Sequence, residues 1–137
     1  MNEKSLFGKE DNSYMAAGQE EGLTKLCDDF YYFMDTLPEA KTIRDMHPKD
    51  LTESSQKLAF FLCGWLGGPR KFQEKYGPIH IPKRHSHLKI GPDETEAWLL
   101  CMEKALERQD YTEDFKKYLL VQLRVPAERI QAVSKNP

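Results

Sequence analysis

The chain has 137 residues, of which 39% are hydrophobic and 31% charged, and its formal net charge is -2. This length fits one domain with one core. The near balance of charges argues against a nucleic-acid-binding protein, which would carry a basic excess or a basic stripe. No apolar run approaches the roughly 18 residues that a membrane span needs. The opening stretch, MNEKSLFGKEDNS, lacks the apolar core of a secretory signal.

The three cysteines, Cys27, Cys63 and Cys101, are widely spaced, and none belongs to a CxxC pair. Neither a zinc-ribbon motif nor a thioredoxin-type motif is therefore present. Because each cysteine lies in an apolar stretch, we predict three buried free thiols. Such thiols are expected of a protein from the reducing cytoplasm.

The first part of the chain carries helical signals. Residues 1–12 are polar and unpatterned, which predicts a loosely ordered extension before a domain that spans 13–137. Ser13 is expected to cap a short helix that ends at Gly18. One apolar stripe with helical spacing follows, formed by Leu23, Leu26, Cys27, Phe30, Tyr31 and Met34.

Proline and glycine divide the middle of the chain. Pro38 ends the first long helix and begins a short one. Another long helix is expected to open at Asp50 or Thr52 and to stop at the Gly-Gly-Pro sequence 67–69. Its apolar positions share one helical period and predict a single inward face, formed by Leu58, Phe61, Leu62 and Trp65.

The second half continues the helical pattern. A short helix closes at Gly77, a longer one starts at Gly91, and a last one runs from about Thr112. The Val125-Pro126 pair is expected to interrupt or kink this last helix. Since no stretch alternates like a strand, the sequence predicts an all-α domain.

Two polar aromatic residues lie on faces that should point into the core. Tyr31 belongs to the first stripe, and Trp98 lies on the inward face of the helix that starts near Gly91. A buried phenol O–H and a buried indole N–H each need an acceptor. A nearby backbone carbonyl would satisfy either group, and the alternative is a polar guest that both groups share.

Three of the four histidines fall within the stretch PIHIPKRHSHLKIG, residues 78 to 91. They could be solvated loop residues, or His85 and His87 could begin a zinc site, although no nearby cysteine or carboxylate completes a familiar spacing. The third alternative is a single axial histidine for a large apolar cofactor. Lys83 and Arg84, just before His85, would then suit the acidic groups of that cofactor.

The stretch FLCGWLGGPRKFQEKYGPIHIPKRH, followed by KIGPDETEAWLLCM, resembles the core of a truncated haemoglobin of group II. The matching features are the Gly-Gly-Pro after the long helix, the Arg-His before a short hydrophobic-basic segment, and the Ala-Trp-Leu of the next helix. The pair Phe30-Tyr31 matches a Phe-Tyr pair of the family on an earlier helix. The resemblance covers about residues 13 to 125.

The resemblance implies a truncated globin fold, a two-over-two helical sandwich around haem b. His85 matches the proximal iron ligand, Tyr31 the distal tyrosine and Trp98 the tryptophan of the distal cavity. The remaining haem-site positions it implies are Arg84 at a propionate, Ser54 at the distal gate, Leu58 and Leu62 on the distal wall, and His47 at the distal corner.

The chain departs from the family pattern at three places. The segment between Tyr31 and His47 is a few residues longer, Leu66 stands where an aromatic residue is common, and His87-Leu88 replaces a Pro-Phe pair. A longer corner reaches more conformations, because loop-closure entropy grows slowly with length. His47 or Tyr31 could therefore occupy the sixth iron position in part of the ferric protein, and the alternative is a rigid corner with water on the iron.

The function that follows from the resemblance is binding or transport of oxygen and other diatomic gases at one haem iron in the cytoplasm. The same site could oxidise nitric oxide or act on peroxynitrite or peroxide, as a nitric oxide dioxygenase-like or peroxidase-like enzyme with a separate reductase. The alternatives are a haem-based sensor or interaction module without turnover, and a helical scaffold with a zinc-binding loop. The expected assembly is a monomer or weak dimer, without nucleic acid.

Overall fold

The computed structural model describes residues 10–77 and 91–134, and these residues form helices without any strand. The all-α prediction is therefore confirmed for the described residues. The helices are α1 (Asn12–Ala16), α2 (Gln19–Thr36), a 3₁₀ turn (Pro38–Ala40), α3 (Lys41–Asp45), α4 (Thr52–Trp65), α5 (Lys71–Tyr76), α6 (Pro92–Glu107) and α7 (Glu113–Ser134). None of these described helices is both long and apolar enough to cross a bilayer.

Short polar side chains start the long helices. The Asp50 carboxylate accepts a hydrogen bond from the Thr52 N–H at 2.9 Å, and the Thr112 hydroxyl accepts one from the Phe115 N–H at 3.1 Å. At the start of α6, the Glu94 carboxylate accepts the Gly91 N–H at 2.8 Å. These bonds satisfy backbone donors that a helix leaves unpaired at its first turn.

Two local predictions need correction. Ser13 does not cap α1: it is the second residue of that helix and is 1% exposed, while Asp11 stands at the cap. Of the two outcomes expected at Pro126, interruption of α7 is wrong, because the helix continues to Ser134 although proline removes one helical hydrogen bond, and a kink stays a prediction.

Helix α2 lies at the centre of the molecule. It packs against α4 on one side and against α6 on another, while α7 packs on α6 and α5 on α4. The shared core is fully buried and includes Leu26, Phe30, Leu62, Met102 and Leu119. Because α2 touches both α4 and α6, its inward side chains lie where a site between these helices would form.

Helix α1 closes over the end of α4. The Tyr14 N–H donates to the Leu66 carbonyl at 3.1 Å, and a Cβ on Gly68 would lie 2.5 Å from the Tyr14 ring. Gly67 has a φ of +94°, a left-handed conformation that glycine adopts without strain. The predicted stop of α4 at this glycine pair is confirmed.

Candidate functional site

Helix α4 carries two apolar sectors rather than one. Leu62 and Cys63 are fully buried and Ala59 is 2% exposed, and this sector packs into the core. A second sector holds side chains that are only partly buried, which are Ser54, Leu58, Phe61 and Trp65. At about 100° per residue the two sectors point in different directions around the helix axis. The sequence pattern had merged them into one face.

The second sector of α4 is aromatic at its C-terminal end. The rings of Phe61 and Trp65 stack with centroids 6.1 Å apart and an interplanar angle of 25°. Together with Leu58 they present a broad, partly exposed apolar surface beside the core. A surface of this kind suits a large flat apolar group, because such side chains gain stability when they leave water.

Tyr31 projects inward from α2 and belongs to the buried core. Its side chain is 8% exposed, and its hydroxyl forms no hydrogen bond with any described residue. Burial, with a smaller contribution from Cys27, raises the pKa of the Tyr31 phenol well above its ordinary value. The phenol therefore stays protonated and can donate a hydrogen bond.

Trp98 lies on α6 and is partly buried against the same core. Its ring centroid is 5.0 Å from that of Phe30, and the Phe30 ring lies 4.9 Å from Tyr31 in an edge-on arrangement. Within the described part of the chain, the Trp98 indole N–H has no acceptor. The structure thus joins Tyr31 and Trp98 through one phenylalanine, and neither polar hydrogen is used by a backbone carbonyl.

His47 completes the aromatic group at the corner after α3. Its ring centroid lies 5.7 Å from that of Tyr31, and its Nδ1 is 2.8 Å from the Ile43 carbonyl oxygen. A carbonyl can only accept, so Nδ1–H is the donor, and in the neutral ring Nε2 carries the lone pair. The sequence did not reveal this contact, because a histidine four residues after Ile43 has no characteristic pattern.

The other predicted site positions lie on both sectors of α4. Ser54 is partly buried on the second sector with Leu58, whereas Leu62 is fully buried on the core sector. The neighbouring Ser55 is 8% exposed, and its hydroxyl donates to Asp28 on α2 at 2.8 Å. Ser55 therefore fastens α4 to α2, a role that sequence reasoning did not assign.

Arg84 and His85 lie outside the described residues, as do His80 and His87. The proximal-ligand, propionate and zinc-site predictions that rest on them stay predictions. Within residues 10–77 and 91–134, no group of histidine, cysteine or acidic side chains could hold a metal ion.

Comparison with known proteins bears on the whole arrangement. A family model described as bacterial-like globin matches residues 12–131. A group 2 truncated hemoglobin of Bacillus subtilis is 32% identical over 124 residues, which cover 90% of this chain and 92% of that protein.

Solved structures share the fold over most of the chain. A cold-adapted truncated hemoglobin of Pseudoalteromonas haloplanktis has a TM-score of 0.82 and 33% identity, covering 86% of this chain and 95% of that one. A group II 2-on-2 hemoglobin of Agrobacterium tumefaciens has a TM-score of 0.81 and 35% identity, covering 87% and 92%. A truncated oxygen-avid haemoglobin of Bacillus subtilis has a TM-score of 0.78 and 32% identity, covering 86% and 97%. The two-over-two fold predicted from the sequence is confirmed.

Proposed function

The chain belongs to the bacterial-like globins, with group II truncated haemoglobins among its relatives, and from that membership we propose that it holds one haem b and binds dioxygen at its iron. Haem-based gas binding is the general property of the family. The placement of Tyr31 and Trp98 against the same Phe30 ring supports dioxygen in particular, since both carry polar hydrogens that have no acceptor among the described residues.

The residues of the described site fit a haem. The partly exposed apolar sector of α4 suits the porphyrin. Tyr31 on α2 and Trp98 on α6 both pack against Phe30, and neither donor has an acceptor among the described residues. In this proposal His85 is the proximal ligand and Arg84 meets a propionate. The other haem contacts proposed are Ser54, Leu58, Leu62 and His47.

When bound, the haem supplies an iron with one open coordination position for a diatomic gas. Tyr31 and Trp98 then donate hydrogen bonds to a ligand that carries partial negative charge. Both groups sit on long helices and pack against the Phe30 ring. Such donors slow the release of dioxygen more than that of carbon monoxide, which is a weaker acceptor.

The same site would support oxidation of nitric oxide or turnover of peroxide, provided that a separate reductase returns the iron to its ferrous form. A reducing cytoplasm is the compartment we propose, because Cys27, Cys63 and Cys101 are all buried free thiols. This observation confirms the cysteine prediction and is compatible with gas binding and with redox turnover alike.

The dissociation rate of dioxygen tests the proposed donors. A hydrogen bond to a charged or partly charged acceptor contributes roughly 1.5–3 kcal/mol, so losing one should raise that rate about ten-fold or more. We expect this for Trp98→Phe, and for Tyr31→Phe unless Trp98 compensates. Stopped-flow rates that are unchanged in both single variants and in the double variant would contradict the proposal.

A further inference from the structure

Buried polar side chains in this structure are almost all paired. The Tyr111 hydroxyl donates to the Ala17 carbonyl at 2.7 Å, and the Gln109 amide donates to Asp29 at 2.7 Å. Among the described residues, two enclosed side-chain oxygens have no hydrogen bond, on Glu20 and on Thr95. The Glu20 oxygen lies 2.5 Å from the Lys71 ammonium, so its charge is compensated. Thr95 has no such compensation.

Thr95 lies in the first turns of α6 and is 3% exposed. Its backbone N–H donates to the Gly91 carbonyl at 3.1 Å, whereas its hydroxyl bonds to nothing. A buried hydroxyl without a partner is unusual and destabilising, and it calls for an explanation. A distorted helix does not explain the missing hydrogen bond, because the backbone of this turn is regular.

The position of Thr95 relative to Trp98 offers an explanation for the unpaired hydroxyl. The two residues are three apart on α6, so their Cβ atoms lie about 5–6 Å from each other. A long side chain on a helix leans back over the turn that precedes it. From this geometry we expect the Trp98 indole to lie over the turn that holds Thr95, with its N–H within reach of the unpaired Thr95 hydroxyl.

We infer that Thr95 Oγ1 accepts the Trp98 indole N–H in the gas-free protein, after a small rotation of the indole, and so competes with dioxygen for this donor. Thr95 is a positioning residue that acts through Trp98. The inference rests on the proposed function, because it assumes that Trp98 donates to the gas. An alternative acceptor stabilises the gas-free state and lowers the affinity for a ligand that needs the same N–H.

Thr95→Val removes the acceptor and keeps the shape of the side chain. We expect oxygen affinity to increase about three- to ten-fold, the ordinary effect of one hydrogen bond. Carbon monoxide binding should stay unchanged, because that ligand leaves the indole bond to Thr95 intact. In a Trp98→Phe background the Thr95→Val change should have no effect on either gas. Lower oxygen affinity in Thr95→Val, or an equal gain with Trp98 absent, would overturn the inference.

Two controls separate competition by Thr95 from its premise, which is that Trp98 donates to dioxygen. Thr24→Val makes the same chemical change on an exposed face of α2 and should leave both gases unaffected. If Trp98→Phe alone leaves oxygen release unchanged, the proposed function fails at Trp98. If Trp98→Phe accelerates release while Thr95→Val leaves oxygen affinity unchanged, only the competition fails.

A spectroscopic measurement on the unmodified protein removes any dependence on how the Thr95 variant folds. Ultraviolet resonance Raman spectra report hydrogen bonding of an indole N–H, and subtracting Trp98→Phe isolates Trp98 from Trp65. We expect Trp98 to be hydrogen-bonded in the gas-free ferrous protein and to remain so with carbon monoxide. A gas-free Trp98 without a hydrogen bond would overturn the inference.

Discussion

His47 is the first candidate for an internal iron ligand. Its Nδ1–H is held by the Ile43 carbonyl at 2.8 Å, and its ring lies 5.7 Å from the Tyr31 ring. This bond fixes the tautomer whose Nε2 can bind a metal. In the ferric protein without added ligand, we expect His47 to occupy the sixth iron position in part of the population. Tyr31 is the alternative.

Absorption and electron-paramagnetic spectra of the ferric protein distinguish these ligands. A low-spin bis-histidine signal that disappears only in His47→Ala identifies His47, and a phenolate charge-transfer band that disappears only in Tyr31→Phe identifies Tyr31. A pure high-spin aquo signature in the wild type and in both variants, from neutral to mildly alkaline pH, would contradict internal ligation.

The three cysteines give a second prediction at the scale of single residues. Burial raises the pKa of the Cys101 thiol to about 11 and raises that of Cys27 and Cys63 as well. Only the thiolate reacts with alkylating reagents, and its fraction falls as the pKa rises. In the folded protein at pH 8, we expect no modification by iodoacetamide within an hour, and three modified sites after denaturation. Mass spectrometry counts the alkylated cysteines in the folded and in the denatured protein. Rapid alkylation of the folded protein would contradict the burial of the three thiols.

Helices α2 and α6 are joined by a polar cluster around Gln109. Its amide donates to Asp29 at 2.7 Å and to the Ala105 carbonyl at 2.9 Å, and its oxygen accepts from Lys25 at 3.2 Å. Because Gln109 is 7% exposed, its loss removes a buried amide that donates to the partly buried Asp29 carboxylate. We expect Gln109→Ala to lower the free energy of unfolding by about 1–3 kcal/mol. Gln73→Ala, at an exposed position on α5, should change it by less than about 0.5 kcal/mol in the same urea titration.

Replacing the proline inside α7 should stabilise the protein, in contrast to the Gln109 substitution. Pro126 cannot donate a helical hydrogen bond, yet the helix continues to Ser134. We expect Pro126→Ala to raise the free energy of unfolding by about 1–2 kcal/mol. The gain is smaller than the roughly 3 kcal/mol penalty of a helical proline, because alanine also frees the unfolded chain. A lower unfolding midpoint in urea would mean that Pro126 is needed for packing.

At the scale of helices, the sequence predicted the buried side correctly where a helix has a single apolar face. The stripe from Leu23 to Met34 was predicted correctly, because a single side of α2 is buried. The two sectors of α4 were not resolved, because Leu58 and Leu62 satisfy the same helical period while facing different surroundings. The interruption expected at Pro126 does not occur, because tertiary packing can outweigh a local preference.

The molecule as a whole packs α4 and α6 against α2, and this arrangement depends on long-range contacts that no local sequence pattern contains. The Phe30-centred contact between Tyr31 and Trp98 joins positions 67 residues apart. The resemblance to truncated haemoglobins predicted both residues, whereas periodicity showed only that they face inward. Thr95 was missed because a threonine in the first turns of a helix is ordinary until its hydroxyl is found unpaired.

Absorption spectra of the purified protein, with His85→Ala and His87→Ala beside it, test haem binding by the whole molecule most directly. We expect a Soret band in the wild type and in His87→Ala, with ferrous spectra typical of an imidazole-ligated iron. His85→Ala should retain haem weakly, and added imidazole should partly restore the five-coordinate ferrous spectrum. A wild-type protein that takes up no haem would contradict the proposed function, and a normal spectrum in His85→Ala but not in His87→Ala would contradict the assigned ligand.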